Sequence, residues 1–237
     1  MLELEGLGEY NNSGALLGVD GADDELLGAL QEMNPIKRHL AMNRLFGGTG
    51  GSRGSRAEME KHFAELPQHI KTGLIKGELR LADTVIYSIK RVSSKTCKLF
   101  ETQDTKQIGT TSLSSARLPK NQAMLVSGIF ILAGVPTELN PDKIMAANYD
   151  KIEGFPAIAT GEFSLKANKK IIVPETSMKV FKTSNNHNVP MGYYKLANPR
   201  LIHDDILIEA TVELGTMDGL SPNTHLYLGL HGTITTP

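Results

Sequence analysis

The sequence predicts a mainly β protein: antiparallel strands folded into a sandwich or barrel, preceded by a partly helical N-terminal arm. Three observations carry this reading. From Gly77 onward, apolar and polar residues alternate with the period of a half-buried strand. These runs follow one another without the strand–helix–strand rhythm of a parallel sheet. The first third shows no such period and holds eleven of the 23 glycines in its first 54 residues. The boundaries that follow are residues 1–72 for the arm and 73–237 for the β domain.

The averages conceal that division. A chain of 237 residues with 40% hydrophobic and 22% charged residues is globular in composition, not disordered or collagen-like. Its net charge of −1 gives no global attraction to nucleic acid or an anionic membrane. No apolar run reaches the ~18 residues of a spanning helix. The start, Met1-Leu2-Glu3-Leu4-Glu5, lacks the basic and apolar regions of a secretory leader. A lone Cys97 precludes an internal disulfide and suits a reducing compartment. The charge, however, is segregated: residues 1–32 carry eight acids and no base, whereas residues 35–57 carry five bases and no acid.

Residues 1–22 mix Gly, Asn, Ser and Leu without sustained period, too little apolar surface to offset ~1–2 kcal/mol of backbone entropy per residue. A neighbouring subunit is the natural support for them. Asp23 or Asp24 caps a short helix carrying Leu26, Leu27 and Leu30. Asn34-Pro35 starts a second, running to about Phe46, with Ile36 and Leu40 apolar and Lys37, Arg38 and Arg44 solvated. The stretch GGTGGSRGSR is a linker by composition and includes Arg53 and Arg56. It is not a phosphate loop, because no Lys–Ser/Thr pair follows the glycines and no strand precedes them. Ser55 and Glu58 have capping-box spacing for a third helix, about residues 56–66 with Phe63 on it, ended by Pro67. Lys37, Arg38, Arg44, Arg53 and Arg56 are the candidates for contact with nucleic-acid phosphates; a solvated helix face and linker is the plainer reading.

In the body, Leu79, Leu81, Val85, Tyr87 and Ile89 share one parity and predict a long strand buried on that face, bent near Ala82-Asp83. After a turn at Ser93-Ser94-Lys95, residues 96–101 pair back, with Cys97 and Leu99 on one face. Residues 102–122 read as a polar loop, and residues 123–133 (AMLVSGIFILA), apolar on both parities, as a central strand covered on both faces. Asn140 caps a short helix from Pro141. Residues 162–167 alternate with Phe163 and Leu165 inward, and Lys169-Lys170 turns them into Ile171-Ile172-Val173. Met178, Val180 and Phe181 predict a further strand, and Tyr193 to Leu196 and Leu201-Ile202 two segments framing Asn198-Pro199, after a polar loop at residues 182–191. Ile206, Ile208, Ala210, Val212 and Leu214 form one inward row, and Leu226, Leu228 and Leu230 another. Eight or nine strands result. Their wide spacing, with no Trp and no Cys pair to pin a sandwich, selects a jelly roll over an immunoglobulin-like fold, a single roll in preference to a double one.

No catalytic signature emerges. His225 and His231 lie ~20 Å apart along an extended strand at ~3.3 Å per residue, too far to share an ion. His203-Asp204-Asp205 has the residue types of metal ligands but opens a strand and reads equally well as a turn, and the HxH pair of a cupin-type metal site is absent. No GxSxG occurs, and Cys97 sits on an apolar parity. Asp23/Asp24 and Asp204/Asp205 are neighbours at caps or turns. The expectation is a protein without cofactor, metal or enzymatic activity.

Four segments carry a resemblance: Gly77-Glu78-Leu79-Arg80-Leu81-Ala82-Asp83; Arg117-Leu118-Pro119-Lys120-Asn121-Gln122 leading into the apolar strand; Gly192-Tyr193-Tyr194-Lys195-Leu196-Ala197-Asn198-Pro199-Arg200; and Leu226-Tyr227-Leu228-Gly229-Leu230-His231-Gly232. Through them, residues 75–237 resemble the jelly-roll major capsid proteins of small tailless icosahedral bacteriophages. The resemblance implies a self-assembling shell subunit of a virion, assembled in the host cytoplasm. Its partners are then other copies of itself, other virion proteins, and the packaged genome or an internal membrane through the arm; no small-molecule substrate is implied. Leu26, Leu27, Leu30, Ile36, Leu40 and Phe63 become the arm's contacts with neighbouring subunits. The acidic start departs from nucleic-acid-binding arms and favours one that ties subunits together. The alternatives are a minor virion protein, at a vertex or spike, and a cupin-like or carbohydrate-binding β protein.

Overall fold

The alternation across the body resolves into eight strands. The computed structural model describes residues 59–183 and 190–237. The strands are β1 (Arg80–Arg91), β2 (Thr96–Lys98), β3 (Ala123–Gly134), β4 (Glu162–Ala167), β5 (Lys170–Ser177), β6 (Tyr193–His203), β7 (Ile208–Glu213) and β8 (His225–Thr236). They form two four-stranded antiparallel sheets, ordered β1-β8-β3-β6 and β2-β7-β4-β5, a β sandwich. The pairing is nested: first with eighth, second with seventh, third with sixth, fourth with fifth. Ladders between β3 and β8 and between β4 and β7 join these pairs into sheets. The innermost pair closes through Asn168 and Lys169, both at positive φ, as a two-residue hairpin requires.

One core lies between the sheets. Phe163 and Leu165 of β4, Ile208, Ala210 and Val212 of β7, and Leu226, Leu228 and Leu230 of β8 all point into it, as their alternation predicts. Cys97 and Leu99 join them, and burial pushes the Cys97 thiol up to about 11. The central, doubly covered β3 is also as expected, and its pattern has a specific cause. Before Ser127 the even residues Met124 and Val126 enter the inter-sheet core; after it the odd residues Ile129, Ile131 and Ala133 do. A bulge between Val126 and Gly128, present in both of its ladders, flips the parity. Asn140 caps helix α2 (Pro141–Ala146), its side chain accepting from the Lys143 amide at 2.9 Å.

The outer face of the β1-β8-β3-β6 sheet carries a second apolar cluster. Ala123 and Leu125, on the opposite side of β3 from Met124 and Val126, pack with Leu79, Met59, Phe63, Leu66, Ile70 and Leu74. These last five come from a short helical stretch at residues 59–61, a 3-10 turn (Phe63–Glu65) and helix α1 (Gln68–Ile75). Pro67 therefore precedes a helix instead of ending the segment: it sits at the N-cap of α1. Gly77, at φ +71, turns the chain out of α1 towards β1.

Four further expectations are corrected. In β1 it is Ile86 and Ser88 that are buried between the sheets, while Val85, Tyr87 and Ile89 are half-buried outside. That outer row is half-buried against its neighbours on the sheet, Tyr87 stacking on Tyr227 at 6.1 Å, while residues 110–112 hydrogen-bond along the strand's edge to the backbone of Tyr87 and Ile89 and the Gly109 amide donates to the Tyr87 hydroxyl. The ladder of β1 to β8 keeps its register unbroken from Arg80 to Arg91, with no bulge at Ala82-Asp83. Second, β2 does not pair back on β1; the turn carries the chain into the other sheet, where Cys97 faces Val212 of β7. Third, Met178–Phe181 is a 3-10 turn, capped by the Ser177 side chain; Met178 and Phe181, three apart, are both buried. Fourth, β6 is one strand. Between the pairs Val126↔Arg200 and Gly128↔Lys195 four of its residues, Leu196 to Pro199, bulge out opposite Ser127. The strand lies at a sheet edge, where a proline costs no ladder bond.

Candidate functional site

Of the residues expected to contact a neighbour, Phe63 alone is described. It is buried against its own chain, in the outer cluster with Leu66, Ile70 and Leu125, so its burial needs no second subunit. Leu26, Leu27, Leu30, Ile36 and Leu40, together with Lys37, Arg38, Arg44, Arg53 and Arg56, lie outside the described residues. The stretch from residue 59 to α1 thus fastens the start of the described chain to the outer face of the β1-β8-β3-β6 sheet.

That fastening has a polar lock. The buried Asp204, after β6, accepts from the Asn121 amide at 2.9 Å and lies 3.0 Å from His69 Nε2 of α1. Burial alone would raise its pKa; the Asn121 amide and His69 outweigh it and hold the carboxyl below its ordinary value. A depressed carboxylate stabilises the fold fully above the unfolded value of ~3.9 and loses that contribution as pH falls through the folded value. Asp204→Asn should therefore flatten the acid limb of stability below about pH 4. Urea midpoints of both proteins between pH 3 and 6 test this; parallel curves would overturn it.

Of the other described histidines, His203 also lies against Asp204, 3.6 Å from its carboxylate, and the rest stand apart. His225 is buried with its Nδ1 2.8 Å from the Asn223 carbonyl, and burial lowers its pKa. His231 lies edge-on to Phe130 and Tyr193 on the outer face. His203 Nδ1 also lies 3.1 Å from the Asp204 backbone carbonyl. Among the described residues, no three His, Cys, Asp or Glu side chains come close enough to hold a metal ion. Lys90 binds Glu101 and Asp104 at 2.9 and 2.5 Å, clasping the segment after β2 to β1. A shallow cleft of about 150 Å³ lies nearby on the other sheet, lined by Lys98, Glu101, Gln103, Glu209 and Thr211 among others.

The sheet edges are treated unequally. β1 is covered by residues 110–112, and β2 is only three residues long. The loop 102–122 that supplies the cover is not simply a polar surface loop, because it buries Leu113, Ala116 and Leu118 in the main core. The opposite flank of the sandwich is formed by the edge strands β5 and β6. Its seam is closed by a ladder of edge-to-face rings: Phe163 to Phe181 at 5.5 Å, then Phe181 to Tyr194 at 5.7 Å. Residues 162–203, which make up this flank and the adjoining β4, contain seven bases (Lys166, Lys169, Lys170, Lys179, Lys182, Lys195, Arg200) and two acids, Glu162 and Glu175. All but Lys166 are exposed. Ile171, 62% exposed, shares the outward face of Lys166, its cross-strand partner. The base count is readable in the sequence, but only the pairing scheme brings these elements to one side.

Comparison with protein-family models and with curated proteins finds no match to this chain.

Proposed function

We propose that this chain is a structural subunit of an icosahedral virus shell of the tailless-bacteriophage type, built on a single jelly roll. The observation that carries the reading is the nested pairing of eight strands into the sheets β1-β8-β3-β6 and β2-β7-β4-β5. A long antiparallel hairpin rolled on itself into two sheets has this order, and jelly rolls of eight strands recur in shell proteins. One inter-sheet core with eight strands suits one roll, not two. The ends of the sandwich carry long loops, and one rim exposes Ile108 (85%), Leu139 and Met145, apolar surface of the kind that copies packed side by side would cover. Residues 1–58 precede an anchored helical stretch and are free in length to reach a neighbour.

The test is negative-stain electron microscopy of the purified full-length chain, with sedimentation analysis across salt and pH. Closed particles or uniform capsomers are the expected result. A monomer under every condition, at concentrations up to those of assembling shell proteins, would overturn the reading. Copy number in particles then separates a major subunit from a vertex or spike component.

A further inference from the structure

We propose that the basic flank formed by β5, the turn after it and β6 docks the acidic segment 1–32 of a second copy of this chain. The inference rests on the assembly reading and deepens it by naming the contact. From the β4–β5 turn through β6, residues 169–203 carry six bases (Lys169, Lys170, Lys179, Lys182, Lys195, Arg200) and one acid, Glu175, and none of the six has an ion-pair partner among the described residues. Segment 1–32 supplies the complement, eight acids and no base. The match extends beyond charge. Ile171 stands exposed among the lysines, and β5 pairs with β4 alone, leaving its other edge unpaired within the sandwich. The segment opens Leu2-Glu3-Leu4-Glu5, an alternation of apolar and acidic residues with the period of a strand. Added along β5, such a strand would place its leucines on one face and its acids on the other.

Length permits the exchange. From residue 32 to residue 59 the chain can span up to ~90 Å at ~3.3 Å per residue, several times the radius of a body this size. A nucleic acid would also seek cations, but a single-strand platform interleaves them with exposed aromatic rings, whereas Tyr194 is engaged with Phe181 and Tyr193 with Phe130 and His231.

The test mixes full-length chain with an equal amount of ¹⁵N-labelled chain under assembling conditions. Zero-length carbodiimide coupling then joins touching carboxylates and amines, and mass spectrometry maps the links. Links from Lys169, Lys170, Lys179 and Lys182 to acids among Glu3, Glu5, Glu9, Asp20, Asp23, Asp24, Glu25 and Glu32 are expected, in isotopically mixed pairs. Their yield should fall at least tenfold in 1 M salt, where the screening length is ~3 Å, and equally in Lys169→Glu/Lys170→Glu/Lys179→Glu. Links confined to Lys37, or only to unmixed pairs, would overturn the proposal, as would lysines shielded by an added single-stranded oligonucleotide while the acids stay unlinked. Particles visible by microscopy without these links defeat this contact and leave the shell reading standing; monomers with unmixed links defeat both.

Discussion

Gly232→Ala is expected to lower stability by at least about 3 kcal/mol, the upper range for overpacking a well-packed site. Gly232 lies in the central strand β8, paired with Thr84 on one side and Val126 on the other. A Cβ built there falls on the Leu125 carbonyl oxygen, with the Leu125 carbonyl carbon at 2.9 Å and Val126 Cα at 3.2 Å. All three are backbone atoms of β3, so no rotamer change relieves the clash. The close approach occurs where the β3 bulge begins, and moving β3 would disturb the ladders on both of its sides. Against a typical stability of ~5–15 kcal/mol, such a loss displaces the urea midpoint by one molar or more. Gly215→Ala is the control, since a Cβ there meets nothing within 4 Å. Equal midpoints for the two variants would show that the strands are not packed this closely.

Phe181→Ala should cost about 3–5 kcal/mol, the range for removing a buried aromatic ring. Phe181 is 1% exposed and stands between Phe163 of β4 and Tyr194 of β6, so it joins the two sheets at the flank where their edge strands meet. In a body of this size the loss corresponds to a fall in melting temperature of about 10 °C. Phe181→Leu, which keeps much of the volume and loses the edge-to-face contacts, should fall between wild type and alanine. A drop for alanine under 1 kcal/mol would mean that the seam is held by something else.

What could be read along the chain follows from how each face is covered. β7 and β8 were legible because one face enters the core and the other is largely polar, so Ile208, Ala210, Val212 and Leu226, Leu228, Leu230 stand out by period alone. β1 is ambiguous by period because neither face is purely polar: Val85, Tyr87 and Ile89 are half-buried outside, Tyr87 stacked on Tyr227, and the row facing the core includes a serine. The turn at Met178–Phe181 misled because four residues are too few to separate a period of three from a period of two. Pro67 suggests a helix stop, yet Ile70 and Leu74, four apart, mark the buried face of α1 beyond it. Of the strand partners, the β4–β5 hairpin is legible from its turn near Lys169, whereas the outer nested pairs join segments far apart in sequence and leave no local trace. For the same reason the basic flank went unnoticed: its cations are spread over three elements that only the topology brings together. The cation clasp of Lys90 with Asp104 likewise depends on a loop whose path no periodicity encodes.

The outermost of the nested pairs also sets a schedule. Arg91 meets His225 and Arg80 meets Thr236, partners well over a hundred residues apart. At synthesis rates of ~5–20 residues per second, β1 leaves the ribosome on the order of ten seconds before the strand that will flank it. The hairpin of β4 and β5 has only two residues to close and can form at once, whereas the β1-β8-β3-β6 sheet cannot be completed until β8 arrives to fill its interior. Pairings this distant in sequence are slow to find even after release. From the emergence of β5 until that of β8, a nascent chain of this protein therefore holds a closed hairpin in one sheet and an unfinished second sheet, with β1 still waiting for its partner strand.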